Sequence, residues 1–350
     1  MSDSVFEGLP EPGANDLTVT ARKRFSRTGL AFFVLSGLTL LLQLAAQLLI
    51  SFAAPEFTQS QWYTWALTSL PMYIVSAPLC WLILKKLDAE PVARSAMGAK
   101  WFFTCVIICF GIMYALNLVG VGINSLIGAL LGKENANPLQ SVVGDSGIWP
   151  TFVFAVILAP IFEELFFRRL IIGRVIRYGE RFAIIFSALF FALMHGNLYQ
   201  FFYAFGLGIF FGYIYVSTGR LRYCVAMHMI VNFVGSFIST LLLRVTDIEQ
   251  LPELSDASSM LSPEAASDFL LRNFDSLIGA AAMGVYALAL IGLSIAGVAL
   301  LIINRKRFVT KPGRLPLPPG RVFSTAYLNP GVLLFVLLCA ALMAATVFAA

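Results

Sequence analysis

The chain has 350 residues, 59% of them hydrophobic and only 12% charged, with a mean hydropathy of +0.84. A soluble domain carries about 25% charged residues, so this composition excludes an ordinary globular protein and indicates an all-α, polytopic transmembrane bundle. The net charge of +5 does not indicate a nucleic-acid partner, because Lys and Arg occur in short clusters beside apolar runs, where they set topology.

In chain order, residues 1–28 contain Asp3, Glu7, Glu11 and Asp16 among Pro and Gly, unlike a cleaved signal peptide, and are expected to form a disordered cytoplasmic tail. A hydrocarbon layer of about 30 Å needs about 20 apolar residues per helix. By that measure there are nine candidate spans: 29–54, 63–84, 101–131, 149–172, 182–197, 200–217, 222–243, 277–303 and 331–350. The first three make an N-terminal group within 29–148, and spans four to seven a core within 149–243. The fifth and sixth are the shortest and form a tight hairpin around Gly196 to Tyr199.

Alternate connections are basic, with Arg22, Lys23, Arg24 and Arg27 before span one and Lys85, Lys86, Arg94 and Lys100 after span two. Arg169, Arg174, Arg177 and Arg181 follow in the fourth connection, then Arg220 and Arg222, then Arg305 to Arg321. This pattern puts the N-terminus in the cytoplasm and the C-terminus outside. The segment 244–276 is an acidic outer loop, in which Ser262-Pro263-Glu264 opens a short surface helix. The segment 304–330 carries five prolines and is expected to be extended on the inner side. No N-x-[ST] sequon occurs, which favours a prokaryotic plasma membrane.

Two features have ordinary structural explanations. The five cysteines lie in apolar segments without metal or redox spacing, and serve packing. Gly208 and Gly212 form a small-xxx-small pair, which lets membrane helices approach closely.

Polar groups inside the apolar core are harder to explain as packing. Glu163, Glu164 and Arg168 share span four, His195 ends span five, and His228 and Asn232 lie on one face of span seven. A charge at the centre of a membrane helix costs roughly 2.5–3.5 kcal/mol on insertion scales, so such residues need partners or a function. Glu164 and Arg168 stand i,i+4 with the acid first, a favourable pairing, whereas Glu163 points about 100° away. Glu164 is therefore the structural partner of Arg168, and Glu163 the freer carboxylate. Counted from inner boundaries at 172 and 222, Glu163 and His228 lie about 13 Å and about 9 Å deep, but His195, counted from 182, about 20 Å. Span five must start in the cytoplasm, tilt or bend for these groups to meet.

Glu163-Glu164-x-x-x-Arg168, Phe191-x-x-x-His195 and His228-x-x-x-Asn232 together resemble the three ordered motifs of the CAAX protease and bacteriocin-processing family of intramembrane endopeptidases. This family includes the abortive-infection proteins and the Ras-converting CAAX endopeptidase. The resemblance covers residues 149–243 and implies peptide hydrolysis on a membrane-tethered or lipidated substrate. Glu163 would activate water with His195, His228 and Asn232 would stabilise the oxyanion, and Glu164 and Arg168 would support the site. No cofactor is required by this scheme. A zinc alternative uses His195, His228 and Glu163 or Glu164 as ligands. A proton or metal-ion relay in a transporter, and a non-catalytic immunity protein, are the readings of other classes. The lipid bilayer is a partner in every case, and the sequence leaves the oligomeric state open.

Overall fold

The computed structural model describes residues 14–133, 147–245, 267, 271 and 274–348. The expected surface helix at Ser262 lies outside the described residues. Every described element is helical. Helices α1 (Ala14–Ala53), α2 (Tyr63–Leu84), α3 (Ala99–Leu131) and α4 (Ile148–Tyr178) are followed by α5 (Glu180–Met194) and α6 (Leu198–Thr218). The chain continues through α7 (Leu221–Arg244), α8 (Phe274–Ile303), the short α9 (Val322–Ala326) and α10 (Pro330–Phe348). Among the described residues, eight of these helices are long and apolar enough to cross a membrane, which makes this an integral membrane protein.

Eight rather than nine is a correction to the count of spans, and it falls on α5. Its 15 residues reach only about 22 Å at 1.5 Å per residue, short of a full crossing. Nevertheless α5 and α6 form the expected hairpin. Both outer ends of the hairpin lie at the end of the bundle that collects the basic connections: Glu180 accepts from the Lys311 amide, and Thr218 accepts from Ser95. The short helix therefore leaves the alternation of the later connections unchanged. Its packing on α6 depends on small residues, since a Cβ on Gly208 would stand 3.0 Å from Ala188 and one on Gly212 3.2 Å from Ile184.

A second correction concerns the N-terminal tail. Helix α1 begins at Ala14, and Ala21, Phe25 and Thr28 are buried, so residues 14–28 are structured. Three residues of this polar extension hold it in place: Phe25 packs on Tyr178, Phe182 and Phe186; Arg22 donates to Leu328 O; and Arg24 donates to Asp88 O at 2.8 Å. A third correction is the end of span four, which runs to Tyr178 rather than 172 before Gly179 turns the chain at a φ of 127°.

The bundle centre is made by α4, α5, α6 and α7, with α3 packed on α6 and α8 on the far side of α3. On the opposite flank α1 lies between α2 and α10. Phe32 joins the two groups by meeting Phe167, Phe190 and Phe335 at ring distances of 5.3–5.9 Å. Two extended segments close the basic end. Residue 90 donates its amide to Gly173 O, Ser95 bonds to Thr218 O, and Leu315 bonds to Arg177 O. The Pro-rich segment is extended apart from a 3-10 turn at Arg305–Arg307 and α9, and it is held by hydrogen bonds. All five cysteines are free and buried.

The α1–α10 contact is a backbone-to-backbone approach. A Cβ on Gly331 would collide with the Ser26 carbonyl, and one on Gly29 with Val332 N. Gly331→Ala is expected to destabilise the fold by about 1–3 kcal/mol through overpacking, read as a lower unfolding temperature in detergent. Gly284→Ala, where nothing lies within 4 Å, serves as the control and should leave that temperature unchanged.

Candidate active site

Helix α4 carries the two carboxylates on a regular turn, Ala159–Glu164, set between two wide π-type turns, Phe152–Leu158 and Leu165–Ile172. Pro160 offers no N–H to the preceding turn, and local widening of the helix re-satisfies the carbonyls it leaves. Such wide turns recur at functional sites because they rotate the side chains that follow them.

The division of labour within the acidic pair holds. Glu164 and Arg168 are both fully buried, and Arg168 Nε lies 2.9 Å from Glu164 Oε2. Arg168 also donates to Ser187 Oγ at 3.2 Å, and Ser187 donates in turn to Phe167 O at 2.6 Å. The guanidinium stands over the rings of Phe191 and Phe211, 4.9 Å and 5.9 Å from their centres. An ionised pair excluded from water needs partners for its remaining donors and acceptors; Arg168 Nη1 finds Ser187 Oγ and Nη2 finds Glu164 Oε1, while Nε and Oε2 meet as an ion pair without a hydrogen bond. Glu164 has a second partner as well, His228 Nδ1 at 3.0 Å.

Glu163 is different: its side chain is 26% exposed and its Oε2 lies 3.7 Å from His228 Nε2. His228 therefore sits between both carboxylates and ties α7 to α4. One turn further along α7, Asn232 donates to the carbonyl of Ala155 at 2.8 Å, which leaves one amide hydrogen uncommitted. His195 closes α5, with Nδ1 2.8 Å from Phe191 O. A carbonyl only accepts, so Nδ1 carries the proton and the neutral ring keeps a lone pair at Nε2.

Glu163, His195, His228 and Asn232, drawn from three helices, line one cavity of about 620 Å³. Glu163 and His195 also line a smaller apolar cavity of about 210 Å³ beside Tyr73 and Phe166. The depth mismatch of His195 disappears once α4 extends to Tyr178. Glu163 and His195 then each stand 16 residues from Gly179, which turns the chain between their helices, or about 24 Å at regular helical rise. Phe191 and Phe211 flank the His228 ring at 5.9 Å and 5.3 Å and hold it in the same cavity. No bend in α5 is needed.

Several supporting residues carry no signal in the three motifs. Ser187 orients Arg168, and Asn197 caps α6 by accepting from Gln200 N at 2.9 Å while donating to His195 O at 2.8 Å. His-Gly-Asn ahead of an apolar helix is a capping pattern, so Asn197 was legible as an N-cap. Ser187 in an apolar run gave no such cue. As for the zinc alternative, among the described residues no three His, Cys, Asp or Glu side chains form a group able to hold a metal ion. Glu164 is already engaged by Arg168 and His228, and the described side chains do not fit that scheme.

Removing Arg168 should leave the buried Glu164 without its ion-pair partner on α4 and with His228 alone. Arg168→Met is expected to destabilise the protein by about 3–5 kcal/mol, whereas Glu164→Gln with Arg168→Met should recover most of that loss. Detergent unfolding of the two variants checks this; equal losses would refute the pairing as the source of the cost.

No curated protein and no solved structure matches the chain. Residues 145–234 do match a family model, described as Type II CAAX prenyl endopeptidase Rce1-like. The match spans about a quarter of the chain and contains Glu163, Glu164, Arg168, His195, His228 and Asn232. The stretch that carries the site thus matches the Rce1-like CAAX endopeptidase family, the membrane protease family that the three motifs resemble.

Proposed function

We propose that this protein is an intramembrane endopeptidase that hydrolyses peptide bonds of membrane-associated, CAAX-like or otherwise lipidated substrates with a water activated by Glu163. The observation that carries this reading is the convergence of Glu163, His195, His228 and Asn232 on one cavity inside the bundle. The family match supports a membrane endopeptidase in general terms. The same cavity would serve a relay, and the family match is what favours hydrolysis over that reading.

In the proposed reaction Glu163 takes a proton from water as the water oxygen attacks the scissile carbonyl carbon. His195 accepts the second water hydrogen at Nε2, because its Nδ1–H is engaged by Phe191 O. Both acceptors hold the water with a lone pair free for attack. The oxyanion of the tetrahedral intermediate receives the uncommitted amide hydrogen of Asn232 and a hydrogen from His228 Nε2. With its Nδ1–H engaged by Glu164, His228 makes that second donation as the imidazolium. The intermediate collapses with cleavage of the C–N bond, and Glu163 delivers its proton to the leaving amine. The products are one amine and one carboxylic acid, which ionises to the carboxylate by releasing the second water-derived proton to solvent, and no acyl-enzyme forms.

The test compares newly formed peptide termini in membranes from cells carrying wild-type protein or Glu163→Gln at matched abundance. Termini present with the wild type should vanish in the variant; identical profiles where the protein has a phenotype would refute the reading and favour a relay or scaffold. On a substrate found this way, Glu163→Gln should cut turnover about 10²–10⁴-fold. Asn232→Ala should cut it about 10²–10³-fold, a loss larger than the modest drop in unfolding temperature expected from its missing bond to Ala155 O explains. Stoichiometric zinc in the purified protein, lost together with activity in His228→Ala, would contradict the metal-free mechanism.

A further inference from the structure

A second cavity, of about 650 Å³, opens at the basic end of the bundle, away from the candidate active site. Arg94, Arg169, Arg220 and Arg222 line it, with Glu90 and Tyr215. Glu90 cannot neutralise these four, since its carboxylate is engaged by Arg177 at 3.2 Å and Arg314 at 2.6 Å. Among the described residues, none of the four arginines has a carboxylate within ion-pair distance. The Nε of Arg220 is buried without a hydrogen-bond partner.

The backbone adds to this field. Arg220 is the N-cap of α7, and it supplies no side-chain oxygen to the first turn, while Gly219, Leu221 and Arg222 line the cavity. A helix N-terminus presents unpaired N–H groups and a partial positive charge, which together favour a bound anion. The segment 89–94 is held over this recess by the 2.6 Å bond from residue 90 to Gly173 O, by Ser95 to Thr218 O, and by the close approach of Val92 and Ala93 to Gly219.

Which anion fits is indicated by what adjoins the recess. Arg169 also lines a neighbouring groove whose other walls include Tyr73, Trp81, Phe166 and Leu170. Trp81, Ile74 and Leu79 are exposed on this flank, within a helix apolar enough to cross a membrane. A recess for an anionic head thus meets an apolar, bilayer-facing groove at one arginine, at the level where Lys85 stacks on Trp81 5.1 Å from its ring.

We propose that this recess binds the phosphate headgroup of an anionic phospholipid, with Arg94, Arg169, Arg220, Arg222 and the α7 N-terminus around the phosphate and an acyl chain along the Trp81–Phe166 groove. The site is distinct from the Glu163 cavity and does not depend on the hydrolytic reading. Guanidinium–phosphate contacts are charge-assisted and frequently bidentate, which gives a preference for the headgroup beyond simple surface attraction.

The test uses the purified full chain in an uncharged detergent, with phosphatidylglycerol or phosphatidylcholine of identical chains and native mass spectrometry as the readout. Phosphatidylglycerol should be retained about tenfold more tightly, and Arg169→Ala with Arg220→Ala should abolish that preference. Arg94→Ala, on the covering segment, should weaken it even if the double variant folds poorly. Arg305→Ala with Lys306→Ala removes equal charge from the same end of the bundle and should leave the preference intact. Equal binding of the two lipids, or equal loss in the Arg305/Lys306 control, would overturn the proposal. Displacement of the lipid by millimolar inorganic phosphate, or by a peptide with a free carboxylate, would instead assign the recess to a small anion or a peptide terminus.

Discussion

A carboxylate and a guanidinium one turn apart on α4, both fully removed from solvent, fix the geometry around them. Neither charge is tolerable there alone, and together they leave donors and acceptors that must still be met. Arg168 turns to Ser187 on α5 and to the rings of Phe191 and Phe211, while Glu164 turns to His228 on α7. Three further helices are thereby set in place around α4 by the requirements of one ion pair. With its partner so engaged, the adjacent Glu163 is left facing a cavity.

The same economy explains the form of α4. A straight helix could not accept Pro160 without leaving a carbonyl unpaired in a medium that offers no water. Wide turns on both sides of Ala159–Glu164 accommodate it. The helix that bears the charges is therefore also the most irregular of the central four, and the regular neighbours α5 and α6, closely packed through Gly208 and Gly212, provide a firm wall against it. Extended segments at the basic end tie α1, α4, α5 and α6 together through backbone hydrogen bonds and through Arg24 and Arg314.

Much of this was legible in the sequence where local spacing decides the outcome. The i,i+4 relation of Glu164 to Arg168 separated the paired carboxylate from the free one, and Gly208-x-x-x-Gly212 marked a close helix contact, which the fold places against α5. The helical class and the hairpin followed from the lengths of apolar runs. What failed depended on tertiary partners. Residues 14–28 are polar enough to resemble a tail, yet Phe25 and Arg24 find partners distant in sequence. The apolar run of α4 fades near 172, whereas the helix continues because Arg174 donates to Leu84 O and Arg177 pairs with Glu90. That error alone produced the apparent misfit of His195. Ser187 could not be distinguished from any other small residue in a membrane helix until Arg168 was found beside it.

Hydrolysis by Glu163 requires that water reach a cavity enclosed by apolar helices, and this is the point on which the account stands or falls. The direct measurement is modification by a charged, membrane-impermeant thiol reagent in open membrane fragments of Ala159→Cys, which lines the cavity, and of Ile161→Cys, which is 40% exposed on α4 and does not line it. The native cysteines are all buried and give a low background. Rapid modification is expected at 159 and slow modification at 161, where lipid excludes the reagent. If 159 is as unreactive as 161, water does not reach Glu163, and a water-activating glutamate is contradicted.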